Sequence, residues 1–290
     1  MNEIAVVFGS DRHLVGTLTL PDITTQTVAF VLLNAGVIHR IGPHRFNVKL
    51  ARELSKGGFA SLRFDISNQG DSSAPAQGLP YERQAVADLQ AAMDHMERIC
   101  GVKHFVIAGI CSGAHNGLAT AQVDPRVVGL WMMDGYIYPS AKTTRARQQY
   151  QLKTRPLATL SSWALRALSL VSQRLLKPFK GRASATPAVV PVIDYGQTTP
   201  PREVYAALMQ SLVDRGVNIY LMFSVSVLWY YSYQDQLRDA FAGHAFVHAL
   251  RCDFVPEIDH TLTTQASQRQ VIKAICDWAP SVLGTPSHGV

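Results

Sequence analysis

The sequence is poor in several features that mark non-globular chains. Its 290 residues include four cysteines, which lack the paired spacing of a zinc site and are too few for a disulfide scaffold. Its 20 glycines are too few for collagen, and its apolar content of 47% is too high for an intrinsically disordered chain. The longest strongly apolar stretch, residues 219–231, is shorter than the roughly 20 residues that cross a bilayer. These absences predict a soluble globular protein.

The N-terminus lacks the pattern of a secretory signal. Met1 leads into an alternating strand pattern, without a basic start, an apolar core and a small-residue cleavage site. We therefore expect the protein in the cytoplasm, where its cysteines are thiols rather than disulfides.

Acidic residues are absent from one long segment, residues 135–193, which we call the basic segment. The net charge of the whole chain is +6, from 27 Lys and Arg against 21 Asp and Glu. The basic segment alone carries ten of these cations, a charge of +10, which leaves −4 for all other residues. The ten cations are Lys142, Arg145, Arg147, Lys153, Arg155, Arg166, Arg174, Lys177, Lys180 and Arg182.

Hydrophobic periodicity predicts an α/β fold. Apolar runs bounded by turn residues predict strands at about 3–8, 13–20, 28–34, 59–64, 104–108, 127–133, 218–224 and 246–254. Apolar spacings of three and four predict helices at about 45–57, 81–99, 112–122, 201–215, 235–242 and 266–279. Strands and helices that alternate in this way indicate a mostly parallel eight-stranded sheet with helices on both faces.

One interval interrupts the alternation. Residues 138–215 contain no convincing strand, so we expect a helical lid inserted into a core of residues 1–137 and 216–290. The lid holds all ten cations of the basic segment. Its stretch 160–176 has one apolar side, which predicts a helix that lies over the sheet.

The turn after the fifth strand carries the strongest chemical signal. The run 109–113 reads Gly, Ile, Cys, Ser, Gly between a buried strand and a helix, as in the nucleophile elbow G-x-Nuc-x-G. Its central residue is Cys111, and the N-terminus of the following helix favours a thiolate there. The alternative nucleophile, Ser112, would put the β-branched Ile110 at a flanking position that needs a small residue. A glycine-rich turn with a structural cysteine is the plain alternative.

Ten histidines compete for the role of base, and their positions favour one. In this order of strands, the base belongs on the loop after the last strand, where His260 lies. His244 and His248 fall before and inside that strand, whereas His39 and His44 follow the third strand. We therefore expect His260 to activate the thiol.

The carboxylate that would orient His260 has two candidates. The seventh strand ends without a carboxylate, and the first one available after it is Asp235. The preceding strand ends directly before Asp134, which would emerge at the same sheet edge as the nucleophile. We prefer Asp134 and keep Asp235 as the alternative, and we expect Asp65 to brace the loop after its own strand.

An oxyanion hole needs two backbone N–H groups. Ser112, directly after the nucleophile, supplies the first. The small-residue turn after the third strand would supply the second, from Val37 or alternatively from Ala35. That turn is also compatible with a plain strand exit.

These residues resemble the α/β-hydrolase superfamily, and the resemblance covers nearly the whole chain. Within the superfamily, the chain is similar to the exosortase-associated hydrolases at residues 36–45, 62–65, 70–72, 109–113 and 130–138. The resemblance implies a lidded acyl hydrolase or transferase with a triad of Cys111, His260 and Asp134. Dienelactone hydrolases and certain Dieckmann cyclases share a cysteine elbow.

A cysteine nucleophile favours thioester substrates, because attack on a thioester exchanges one thiolate for another. We expect an acyl-thioester hydrolase or acyltransferase without a cofactor or metal. The alternatives are a Dieckmann-type cyclase that uses the same thiol and a ligand-binding protein without turnover. An acidic acyl-carrier protein or coenzyme A would dock on the basic segment, at Lys142, Arg145, Arg147 and Lys153. Nucleic acid is not expected as a partner, and contact with a membrane surface is possible but not favoured.

Overall fold

The computed structural model describes residues 1–23, 26–33, 35–143, 145, 149, 152, 153, 199–227 and 230–284. Its centre is an eight-stranded sheet with the order β1-β2-β4-β3-β5-β6-β7-β8. The strands are β1 Asn2–Phe8, β2 Leu14–Leu20, β3 Val28–Leu32, β4 Ser61–Phe64, β5 His104–Ile110, β6 Val127–Met133, β7 Asn218–Ser224 and β8 Arg251–Val255.

The two pairings at the β1 end of the sheet are antiparallel and the remaining five are parallel. β1 pairs with β2, and β2 with β4, in antiparallel register, whereas β4, β3, β5, β6, β7 and β8 pair in parallel. The central strands are continuous apolar runs, and all five residues of β3 are buried, as expected for a parallel sheet covered on both faces. Parallel strands end at one common edge, so the loops after β3, β5, β6, β7 and β8 meet there.

Six helices among the described residues cover the sheet. They are α1 Phe46–Lys56, α2 Tyr81–Cys100, α3 Ser112–Val123, α4 Arg202–Asp214, α5 Gln236–Ala240 and α6 Gln265–Trp278. The buried residues form two clusters: α2, α3 and α4 pack in one, and α1 and α6 pack in the other. The molecule therefore has three layers around one sheet, as the sequence predicts.

The start of the eighth strand differs from the prediction. The sequence predicts a strand from 246 to 254, but Ala245–His248 forms a 3₁₀ turn and β8 begins at Arg251. A strand would send Phe246 and Val247 to opposite faces of the sheet. The turn instead buries both in the cluster of α4, where the Phe246 ring lies 5.3 Å from that of Phe241.

The last helix of the predicted insertion packs as part of the core. α4 buries Tyr205, Ala206, Met209 and Leu212 in the same cluster as the sheet. The predicted lid helix at 160–176 lies outside the described residues, so the division into core and lid stays a prediction. No helix within the described part of the chain is long and apolar enough to span a bilayer.

Candidate active site

A single residue, Cys111, separates β5 from α3. Its backbone has φ 56° and ψ −119°, a conformation that costs energy in a residue with a side chain. The Cys111 N–H donates to the Met133 carbonyl at 2.9 Å, and the Cys111 carbonyl accepts from the Ala114 N–H at 3.0 Å. These bonds hold the strained turn and place Cys111 directly before the N-terminus of α3.

Gly109 is required by the tightness of this turn. A Cβ atom on Gly109 would lie 2.4 Å from the carbonyl carbon of Gly113, far closer than two carbon atoms approach. Strand and helix therefore meet so closely that a side chain at position 109 would force the backbone to shift, which explains the glycine in the sequence motif.

His260 and Asp134 reach the turn from two other loops of the same sheet edge. Asp134 follows β6, and His260 lies on the loop between β8 and α6. The Asp134 Oδ2 atom is 2.7 Å from the His260 Nδ1 atom. The Asp134 side chain is fully buried, whereas 33% of the His260 side chain is exposed. The base is thus partly open to solvent, whereas its acid lies in the interior.

The contacts of His260 raise its pKa from about 6.5 to about 10. The largest cause is the hydrogen bond with Asp134, followed by a hydrogen bond with the side chain of Cys111, while burial acts in the opposite direction. Because Nδ1 is engaged by Asp134, Nε2 is the ring nitrogen left for the thiol. Asp134, His260 and Cys111 therefore form one hydrogen-bonded chain.

Two serines make hydrogen bonds to Asp134 and His260. The sequence alone had indicated no role for either serine. The Asp134 carboxylate accepts the Ser224 N–H at 2.8 Å and the Ser224 hydroxyl at 2.6 Å. The Ser226 Oγ atom accepts the His260 N–H at 2.8 Å. Ser224 ends β7, where the sequence offers no carboxylate. The available signal in the sequence was a serine directly after the apolar run of residues 219–223.

Asp235 lies away from the base. It directly precedes α5, its side chain is 65% exposed, and its carboxylate lies 3.7 Å from the guanidinium of Arg238. The structure brings Asp134, and not Asp235, to His260.

The loop after β3 faces the start of α3. The Gly36 N–H donates to the Ser112 Oγ atom at 2.7 Å, and the Ile38 N–H donates to the Ala35 carbonyl at 3.1 Å. Within the described part of the chain, the N–H groups of Ala35 and Val37 have no hydrogen-bond partner. The N–H of Ser112 belongs to the first turn of a helix, which has no intrahelical acceptor. Both predicted sources of a second oxyanion donor thus remain available.

Asp65 braces the same loop through Arg40. The buried Asp65 carboxylate accepts the Arg40 backbone N–H at 2.6 Å and its guanidinium at 2.5 Å. The guanidinium also contacts Asp71 at 2.6 Å and holds the pKa of that carboxyl below its usual value. His39, Asp65 and Asp71 are near enough to one another to ligate a metal ion. The Arg40 guanidinium, however, already contacts both carboxylates and supplies a positive charge there. This cluster therefore does not fit a metal.

The predicted docking cations lie at the start of the basic segment. Arg145 and Lys153 are exposed, and Arg147 lies outside the described residues. The Lys142 side chain is 71% exposed, and its Nζ atom is 3.0 Å from the Asp239 carboxylate. Lys142 is thus already paired, whereas the docking role of the four cations stays a prediction.

Comparison with solved structures identifies the fold. An esterase of Pyrococcus furiosus superposes with a TM-score of 0.59 at 13% identity, covering 98% of this chain and 91% of that one. An α/β serine hydrolase without a lid from Xanthomonas campestris gives 0.55 at 12% identity, with 99% and 97% covered. A dienelactone hydrolase from Anabaena variabilis gives 0.54 at 14% identity, with 97% and 98% covered. No protein-family profile and no curated protein matches the sequence. The chain has the α/β-hydrolase fold, which confirms the predicted fold class.

Proposed function

From the α/β-hydrolase fold and the contacts of Cys111, we propose that this protein is an acyl hydrolase or acyltransferase. It acts on a thioester or ester through a covalent acyl-cysteine intermediate, with Cys111, His260 and Asp134 as its catalytic residues. The observation that supports this function best is the hydrogen-bonded chain from buried Asp134 through His260 to a cysteine in a strained turn.

The raised pKa of His260 favours a protonated imidazole beside the sulfur of Cys111. In the first step, the thiolate of Cys111 attacks the carbonyl carbon of the substrate and a C–S bond forms. The carbonyl oxygen becomes an oxyanion, which accepts hydrogen bonds from the Ser112 N–H and from Val37, or alternatively Ala35. Collapse of this intermediate breaks the bond to the leaving group, which takes the proton from His260.

The second step releases the acyl group and regenerates the free side chain of Cys111. His260, now neutral, accepts a proton from water or from another acceptor as that nucleophile attacks the acyl carbon. The C–S bond to Cys111 breaks, and the thiolate and imidazolium return. When the nucleophile is water, the net reaction converts a thioester and water into a carboxylic acid and a thiol.

Thioesters suit this nucleophile better than esters or amides. From an ester or amide adduct, the cysteine thiolate is the better leaving group and is expelled again, whereas a thioester substrate offers a leaving group of the same kind. The comparison structures include an esterase and a dienelactone hydrolase, which favours acyl transfer to water as the general reaction.

An anionic carrier of the acyl group fits the exposed cations of the basic segment. Arg145 and Lys153 are the free candidates among the described residues, and Arg147 belongs to the same proposal. Lys142 would have to leave Asp239 to contact a carrier protein or the phosphates of coenzyme A. Such contacts speed encounter and orient the partner more than they add affinity.

Intact-protein mass spectrometry with a panel of acyl thioesters tests the proposal. The chain offers a control thiol, since burial raises the pKa of Cys276 to about 11 and leaves that group protonated near neutral pH. We expect an acyl adduct on the wild type and on Cys276→Ala, and none on Cys111→Ala. No adduct across the panel, or an adduct that survives Cys111→Ala, would refute it. A cyclic product instead of a free acid would favour the alternative function, a Dieckmann-type cyclase that uses the same thiol.

A further inference from the structure

The side chain of Ser112 makes a contact that its backbone role does not require. Ser112 is the first residue of α3 and is buried, and its Oγ atom accepts the N–H of Gly36 at 2.7 Å. This bond joins the helix that follows the nucleophile to the loop after β3, 76 residues away in the chain. An alanine at position 112 would leave the Gly36 N–H without this acceptor.

The same loop has a second anchor at its other end. Arg40 is held by Asp65 through both its backbone N–H and its guanidinium. Gly70 encloses that carboxylate so closely that a Cβ atom there would lie 2.4 Å from the Asp65 Cγ atom. The Asp65 carboxylate is therefore tightly enclosed, and only residues 37–39 lie between the two anchored residues, Gly36 and Arg40.

Val37 lies between the two anchors. The Ile38 N–H returns to the Ala35 carbonyl, so residues 35–38 form a turn with Gly36 and Val37 at its centre. Ser112 uses the N–H of Gly36, which removes that group as an oxyanion donor. The next N–H, that of Val37, has no partner within the described part of the chain, and 79% of the Val37 residue is exposed.

We propose that the Ser112 hydroxyl is a positioning group that fixes the turn of residues 35–38, which carries the second oxyanion donor. The inference rests on the proposed function and deepens it, because it adds a residue that acts through this turn, and it excludes the Gly36 N–H as the donor. Ser112 then acts twice, with its own N–H toward the oxyanion and with its hydroxyl through Gly36. Donors that are fixed before the reaction stabilise the developing charge without reorganisation.

Two reactions of Cys111 separate this role from general damage to the site. Acylation by a thioester passes through an oxyanion, whereas alkylation by iodoacetamide is a direct displacement of iodide that needs the thiolate but no oxyanion hole. We expect Ser112→Ala to lower the acylation rate about tenfold, below the loss from deleting a donor outright. The rate of alkylation by iodoacetamide should stay at the wild-type value.

Two further substitutions at position 112 and one control substitution complete the experiment. Ser112→Thr keeps the hydroxyl and should restore acylation, and Ser112→Gly repeats the loss if Ser112→Ala does not fold. Ser55→Ala is the control, since Ser55 is also buried and its hydroxyl also makes a hydrogen bond to the backbone, which it donates to the Arg52 carbonyl on α1. It should change neither reaction.

The outcomes distinguish the inference from the function on which it rests. Ser112→Ala acylated at the wild-type rate, or slowed equally toward thioester and iodoacetamide, would overturn the positioning role while the proposed function stands. A wild type that forms no acyl adduct would overturn both. A selective loss of acylation that Ser112→Thr restores supports the inference.

Discussion

At the scale of single residues, the site depends on groups held in costly arrangements. Cys111 and Asp134 both have positive φ angles, 56° and 51°, although neither is glycine. Such conformations cost about 1–3 kcal/mol each and persist only where neighbouring contacts enforce them. Here the Asp134 N–H donates to Met222 and the Cys111 N–H donates to Met133, so the strain is carried by bonds to adjacent strands.

Asp134 should control the protonation of His260. Because its hydrogen bond is the largest cause of the raised pKa, Asp134→Asn should lower the pKa of His260 from about 10 toward the usual 6.5. Titration of the His260 ring by NMR measures this directly. The Asp235→Asn variant is the control and should leave the ring unchanged. A His260 pKa that follows Asp235 instead would move the acid role to that residue.

The same contact makes stability depend on pH. The folded pKa of His260 is raised, so its contribution is complete below about 6.5 and is lost as pH rises through about 10. The difference in free energy of unfolding between wild type and Asp134→Asn should therefore shrink between these limits. Urea denaturation of both proteins over a pH series checks the sign. A difference that grows toward alkaline pH contradicts the assignment.

At the scale of elements, the close meeting of β5 and α3 sets the turn that presents Cys111. Gly109→Ala should destabilise the protein by about 2 kcal/mol, because its Cβ atom would overlap the backbone of Gly113. Chemical denaturation measures the loss. Gly78→Ala is the control, since its Cβ atom would meet nothing within 4 Å. Equal stability of the two variants would show that the turn is looser than described.

The sequence predicted elements better than it predicted contacts. Periodicity located the strands and helices, and it failed at 246–248 because a turn and a strand can bury the same apolar residues. Strand order at one sheet edge predicted the group Cys111, His260 and Asp134, which the structure brings together. The contacts of Ser224, Ser226 and the Ser112 hydroxyl were missed, since hydrogen bonds between distant loops leave no periodic signal.

At the scale of the whole molecule, charge is separated along the chain, with +10 in the basic segment and −4 elsewhere. We expect Arg145→Glu with Lys153→Glu to raise the KM for a carrier-bound acyl group and to weaken its dependence on salt. A small acyl thioester should be unaffected.

Lys103→Glu is the control for this surface. Lys103 is exposed and precedes β5, at the opposite end of the strand from Cys111. Steady-state kinetics over a salt series compares the variants. If the Lys103→Glu variant and the Arg145→Glu, Lys153→Glu variant change the KM for the carrier-bound acyl group equally, or if neither changes it, docking on the basic segment is excluded.

The central claim is that the acyl group is carried by the sulfur of Cys111. Its most direct test is to quench the reaction with an acyl thioester, digest the protein and locate the acyl group by tandem mass spectrometry. We predict acylation of Cys111, removed by neutral hydroxylamine as a thioester is. An acyl group on Ser112 or elsewhere, stable to that treatment as an oxygen ester is, would contradict the claim.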